Sequence, residues 1–317
     1  MSADGGTKAV IAALLANTGI AITKFIAWLL TGASSMLAES IHSVADAGNQ
    51  GLLLLGGKRA QRTPTTNHPF GFGRERYIYA FIVAIVLFSV GGLFALYEAF
   101  HKYEEVHAGK ENKLLEGDYW WVAIVVLAGA IVMEAFSFRT AIVESNRTRG
   151  KVGWASFIRR AKAPELPVIL LEDFAALVGL VFALAGVGLT LVTENGYWDV
   201  AGTAAIGLLL VAVAVTLAVE TKSLLLGESA SPEHRDKIEE GILAGEEVLE
   251  ILSMRTLHTG PEEILVACKI SVAPTQSAQA IADAINGAEE RIRAAVPEAT
   301  YIFIEPDIWR ESEVTAR

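Results

Sequence analysis

Apolar residues in the first two-thirds of the chain gather into six long runs, at 8–30, 36–57, 76–100, 119–143, 165–192 and 200–219. Each approaches or exceeds the about 20 residues that a helix needs to cross a bilayer core. The pattern changes near residue 227. Beyond it, 232–246 is amphipathic, with Ser231 placed as an N-cap and Pro232 at the first turn. Alternating or β-rich stretches follow at 247–257 and 264–272, separated by Thr259-Gly260-Pro261. A second amphipathic run covers 277–295, and a last strand is expected at 300–305. The order α-β-β-α-β predicts a small open sheet with helices on one face. Two domains are therefore expected, 1–227 in the membrane and 228–317 outside it.

Composition agrees with a membrane class. Hydrophobic residues make up 52%, charged residues 20%, and the mean hydropathy is +0.41. The net charge of -10 argues against a nucleic-acid partner, which would demand a basic face. All of that excess lies in the tail: 1–227 carries 18 acidic and 18 basic side chains, 228–317 carries 18 and 8. The single cysteine, Cys268, excludes a disulfide framework within the chain and a thiolate-only metal cage.

The connecting loops set an orientation. The 58–76 loop holds five basic residues and the 139–162 loop seven, against three in the loops at 31–35, 101–118 and 192–199 together. By the positive-inside bias both termini face the cytoplasm. The first run starts close to Met1 without a small-residue cleavage site and is expected to be retained. With no presequence visible, a bacterial inner membrane is the expected location.

Ionisable groups at membrane depth are costly, so each one is a candidate functional residue. The second run carries Glu39, His42, Asp46 and Asn49. His42 and Asp46 are one helical turn apart on one face, and imidazole with carboxylate suits zinc and its first-row neighbours. The fifth run carries Glu172 and Asp173 in adjacent places. Asp46 lies 11 residues from the inner end of its run and Asp173 lies 8. At 1.5 Å per residue these are depths of about 16 and 12 Å, near one level at the midplane. Glu134 on the fourth run is equally open to a structural pairing and to function. Asn17 and Lys24 on the first run read as polar contacts or snorkelling side chains.

These features resemble the cation diffusion facilitator family of divalent-metal transporters, over nearly the whole chain. The similarity rests on the His42-Ser43-x-x-Asp46 stretch, the carboxylates of the fifth run, and the loop His68-Pro69-Phe70-Gly71-Phe72-Gly73-Arg74. Glu75-Arg76, Leu171-Glu172-Asp173 and Glu134-Ala135-Phe136-Ser137-Phe138 look most similar to the branch containing the zinc transporter 9 type. The resemblance implies a membrane all-α six-helix bundle followed by a small α+β ferredoxin-like, metallochaperone-like cytoplasmic domain that forms a homodimer. It implies metal ligation by His42, Asp46 and Asp173. Family members usually place another His or Asp one turn before Asp173, where this chain has Ile169, and Glu172 is expected to substitute. His68 is expected to organise the glycine-rich turn, and His101 and His107 to be solvated.

The expected function is export of a divalent cation, zinc first, by antiport against protons across the lipid bilayer. The substrate is Zn2+, with Mn2+, Fe2+ and Co2+ as alternatives. A manganese or iron transporter of the same family is the first alternative function, and a non-transporting scaffold built on the fold is the second. The helix pattern His-Glu-x-x-His of a metalloprotease does not occur, and no enzyme is expected. His234 and His258 in the tail make only a weak metal site, and the resemblance implies a domain that serves for dimerisation.

Overall fold

The computed structural model describes residues 18–110 and 112–308. By mutual contact the chain forms two compact units. One runs up to Lys58 and resumes over Tyr77–Lys222. The other takes Arg59–Arg76 together with the chain from Ser223 onward.

The first unit is helical. Its main helices are α1 (Thr18–Thr31), α2 (Ser34–Ala60), α3 (Glu75–His107), α4 (Trp120–Arg149), α5 (Glu165–Thr193) and α6 (Tyr197–Leu226). A single turn at Lys113–Glu116 and a short helix at Trp154–Arg160 lie in the connections. Four of these helices, α3 to α6, are long and apolar enough to cross a membrane. α2 is 27 residues long, but the polar residues at 39, 42, 46 and 49 dilute its apolar stretch. The first run was expected to begin at residue 8; its start, and Asn17 with it, lies outside the described residues.

Packing inside this unit follows small residues and capped ends. Met36, Val83, Leu87, Leu127, Leu180 and Leu210 belong to its apolar core. α3 passes through a π-helical stretch at Leu87–Leu93 containing Gly91 and Gly92. A Cβ at Gly92 would come within 2.8 Å of Val211 Cγ2 on α6, so glycine is what lets α3 and α6 approach. α1 and α2 turn at Gly32, whose φ of +63° lies in the left-handed region. The start of α2 is then capped from a distance. Asp199 of α6 accepts hydrogen bonds from Ser34 N and Ser34 Oγ (2.8 and 3.0 Å) and from Ser35 Oγ (2.6 Å). A buried carboxylate thus satisfies first-turn donors that a helix leaves unpaired. Along the other helices Val125, Val132 and Phe136 on α4 and Ile22 and Leu29 on α1 stay exposed, as side chains facing lipid tails would.

The second unit contains α7 (Pro232–Leu243), β1 (Glu250–Gly260), β2 (Glu263–Ser271), α8 (Ala278–Ala295) and β3 (Ala299–Asp307). The sheet order is β1-β2-β3, with β1 antiparallel and β3 parallel to the central β2. Ile264, Val266, Cys268 and Ile270 alternate inward along β2 and meet Ile238 and Ile242 of α7 and Ile292 of α8 in one core. The Ser231 hydroxyl accepts from His234 N at 3.2 Å, the cap that the sequence places there. Element bounds in this unit shift by up to three residues from those expected. β1 extends to Gly260, leaving only Pro261-Glu262 as the hairpin turn, and α7 stops at Leu243.

The loop at 59–76, expected to go with the membrane part, packs with this second unit. Gly73 lies so close to the β1–β2 hairpin that a Cβ there would sit 2.9 Å from Gly260 Cα. Phe70 meets Tyr301 of β3 edge-on at 5.2 Å, and Arg76 pairs with Glu262 at 3.3 Å. His68 and Thr65 exchange backbone hydrogen bonds of 3.0 and 3.1 Å, and the His68 ring rests 4.8 Å from Phe72, so the histidine organises the turn as expected.

Candidate metal centre

Helix geometry puts His42 above Asp46, and their Nδ1 and Oδ1 atoms are 3.4 Å apart. His42 is fully buried. Neither of its ring nitrogens, nor Asp46 Oδ1, has a hydrogen-bond partner among the described residues. Buried polar atoms are ordinarily satisfied, so this pair of donors is chemically suited to a further partner.

α5 and α4 supply the opposite side. Glu172 is buried and accepts from Asn49 Nδ2 at 2.7 Å. Asp173 accepts from Ser137 Oγ of α4 at 2.8 Å. Asp46, Glu134, Glu172 and Asp173 then line one small cavity of about 30 Å³, with Ser43 and Gln50. That volume holds an ion or a water molecule. Ile169 gives the same cavity an apolar wall at the position where a ligand one turn before Asp173 would stand.

Four residues were expected as ligands: His42, Asp46, Asp173 and Glu172. The structure brings Asp46, Glu172 and Asp173 to one cavity and adds Glu134. His42 is not among the cavity's walls and adjoins it through Asp46. Among the described residues no group of three His, Cys, Asp or Glu side chains is gathered closely enough to hold one ion. Glu172 rests on Asn49 and Asp173 on Ser137.

Of its two expected roles Lys24 takes the polar contact and not the snorkelling one, with partners the sequence did not name: its Nζ is 3.0 Å from Glu39 Oε2 and donates to Ser43 Oγ at 2.9 Å, with both charged side chains sealed from solvent. Position carried the signal, since Lys24 stands eight residues before Gly32 and Glu39 seven after it, level across a tight turn. Asp199 escaped the sequence altogether. Nothing in its own surroundings announces a cap for a helix that begins 165 residues earlier.

His101 stacks on Tyr97 and His107 on Tyr103. His258 is buried, with Nδ1 3.2 Å from Gly260 O. Cys268 is buried in the core of the second unit, where desolvation pushes its thiol up to about 11.

Comparison with known proteins decides the family. The cation efflux transmembrane domain matches residues 10–226, well over half of the chain. The chain belongs to the cation diffusion facilitator family. Within it, this facilitator lies near the SLC30A9 branch. It is 33% identical over 258 residues to the mouse "Proton-coupled zinc antiporter SLC30A9, mitochondrial", covering 81% of this chain and 44% of the relative. It is 28% identical over 233 residues to "Metal tolerance protein C4" of Arabidopsis thaliana, covering 73% and 49%. The magnetosome protein MamB of Paramagnetospirillum magneticum is 24% identical over 203 residues, covering 62% and 64%. The facilitator thus spans less than half the length of the zinc antiporters it matches. It is a multi-pass membrane protein of a cation-transporting family.

Proposed function

We propose that this facilitator exports a divalent cation, zinc first, from the cytoplasm in exchange for protons. All six helices α1 to α6 cross the bilayer in this reading, and the basic loops at 58–76 and 139–162 hold both termini in the cytoplasm, as in a bacterial inner membrane. The second unit is a ferredoxin-like module that joins two copies into a homodimer.

The observation that carries the proposal is the meeting of Asp46, Glu172 and Asp173 around one cavity within apolar helices. Uncompensated carboxylates at membrane depth are expensive, and a divalent cation is the partner that offsets their charge. His42 and Asp46 ligate from α2. Asp173 ligates from α5, with Glu172 taking the place that Ile169 leaves vacant of donor atoms. To reach one ion, Glu172 and Asp173 shift while each keeps one oxygen on its partner, Oε1 on Asn49 and Oδ2 on Ser137, and each offers its other oxygen to the ion. Imidazole and carboxylates ligate only when deprotonated, so protons and cation compete for the same atoms. Protonation from the far side releases the ion, and rocking of the helices exposes the cavity to each side in turn.

The experiment is zinc flux into proteoliposomes driven by a pH gradient, with Asp46→Ala as the control. Flux that collapses in the variant supports the site. Undiminished flux refutes it, and no flux in the parent favours a non-transporting scaffold. A second reading, manganese or iron transport, is favoured by one observation: every ionisable wall of the cavity is a carboxylate, and His42 stands outside it. All-oxygen surroundings suit harder ions. Competition between zinc and manganese in the same vesicles separates the two.

A further inference from the structure

The connection between α4 and α5 holds six basic side chains between 147 and 162 and no acidic one. It lies where two apolar helices end: α4 at Arg149 and α5 at Glu165. That is the level at which a bilayer gives way to water.

The short helix Trp154–Arg160 and the chain around it enclose a cavity of about 290 Å³. Its walls divide by chemistry. Arg149, Arg160 and Lys162 supply cations, while Val152, Phe157 and Leu166 supply apolar surface. Arg149 is fixed in place. Its Nε donates to Asn146 Oδ1 at 2.6 Å, Nη1 donates to Val152 O, and the guanidinium lies 4.1 Å from the centre of the Trp154 ring. Trp154 in turn meets the buried Phe157 edge-on at 6.5 Å. A tryptophan at such a level is an interfacial anchor, so the short helix is held against the lipid surface.

We infer that this cavity binds the headgroup of an anionic phospholipid. The phosphodiester pairs with Arg160 and Lys162, and the fixed Arg149 adds to the positive field. Guanidinium suits a phosphate through two parallel donors. The glycerol and upper acyl chain lie along Val152, Phe157 and Leu166, a surface that a free phosphate ion would leave unused. Basic pockets beside membrane helices recognise anionic lipids by this combination. Binding does not depend on which metal is carried, nor on the midplane site.

The test uses the purified full chain, stripped of lipid in a neutral detergent. Phosphatidylglycerol or phosphatidylcholine is titrated in, and bound lipid is counted by native mass spectrometry. Preferential retention of phosphatidylglycerol is expected. Arg160→Gln with Lys162→Gln should weaken it about thirty-fold, on the usual contribution of two basic side chains near a lipid surface. The charge-conserving Arg160→Lys with Lys162→Arg should largely restore it, which guards against a folding defect. Lys151→Gln, on the same connection but outside the cavity walls, should change retention less than about two-fold, within the scatter of a surface charge. Equal retention of both lipids would overturn the inference. So would full displacement by inorganic phosphate, or an equal loss in Lys151→Gln, which would point to diffuse surface charge.

Discussion

Lys24 and Glu39 form an ion pair 3.0 Å long between α1 and α2, with neither side chain reaching solvent. A second contact, from Lys24 to Ser43 one residue past His42, ties the pair to the candidate metal centre. Removing one member leaves the other charge buried alone, which costs about 3–5 kcal/mol. Lys24→Met is therefore expected to lower the unfolding midpoint of the detergent-purified protein. Lys24→Met combined with Glu39→Met should recover most of that loss, since an apolar pair of similar size is often neutral. A single variant as stable as the parent would show that the charge is not sealed off.

Asn49 and Ser137 touch the carboxylates rather than the expected ion. Each orients one candidate ligand, Glu172 and Asp173 respectively. Losing such a partner typically costs 10–100-fold in metal affinity. Asn49→Ala and Ser137→Ala should weaken zinc binding by about that range, measured by titration calorimetry, while Asp46→Asn abolishes it. Unchanged affinity in both alanine variants would place the ion elsewhere.

Binding should also depend on pH with a definite sign. Imidazole and carboxylate donors must lose any proton before they ligate, so zinc uptake releases protons. Each proton displaced per ion makes the apparent affinity fall about tenfold for every unit of acidification. Proton release into a weakly buffered solution, followed with an indicator dye on adding zinc, checks this. Binding without release would contradict competition at shared atoms.

Cys268 offers a probe of the second unit. Burial raises its thiol from 9.0 to about 11. Only the thiolate reacts, so at neutral pH the folded protein should react with a thiol reagent about a hundredfold more slowly than the unfolded chain. The raised value also sets the direction of linkage. The contribution to stability is complete below the unfolded thiol's value near 9, and it is lost as the pH rises through 11. Labelling at equal rates in folded and unfolded protein would show an open core.

Gly73 is the tightest point at which the α2–α3 loop meets the hairpin. The nearest atoms to an added Cβ are Glu263 Oε2 at 2.8 Å, Gly260 Cα at 2.9 Å and Thr259 O at 3.0 Å. Two of the three are backbone and cannot swing away. Gly73→Ala should detach the loop, seen as faster proteolysis within 59–76, at a cost of about 1–3 kcal/mol for overpacking. A protease-resistant variant would show that the hairpin yields.

The sequence by itself determined the helices and strands, the division between apolar and acidic parts, and the His42–Asp46 pair. All of these follow from backbone periods of 3.6 and 2 and from hydropathy, which act within a few residues. It also placed Asp46 and Asp173 at one depth, because rise per residue is fixed. Only the tertiary structure decided that Glu134 shares their cavity while His42 stands behind Asp46, that Lys24 pairs with Glu39, and that the loop at 59–76 folds with the sheet. Those outcomes depend on how each helix is rotated about its own axis and on which distant backbones pack closely. No local pattern encodes that rotation, because several rotations bury nearly the same apolar area and only the complete set of contacts selects one.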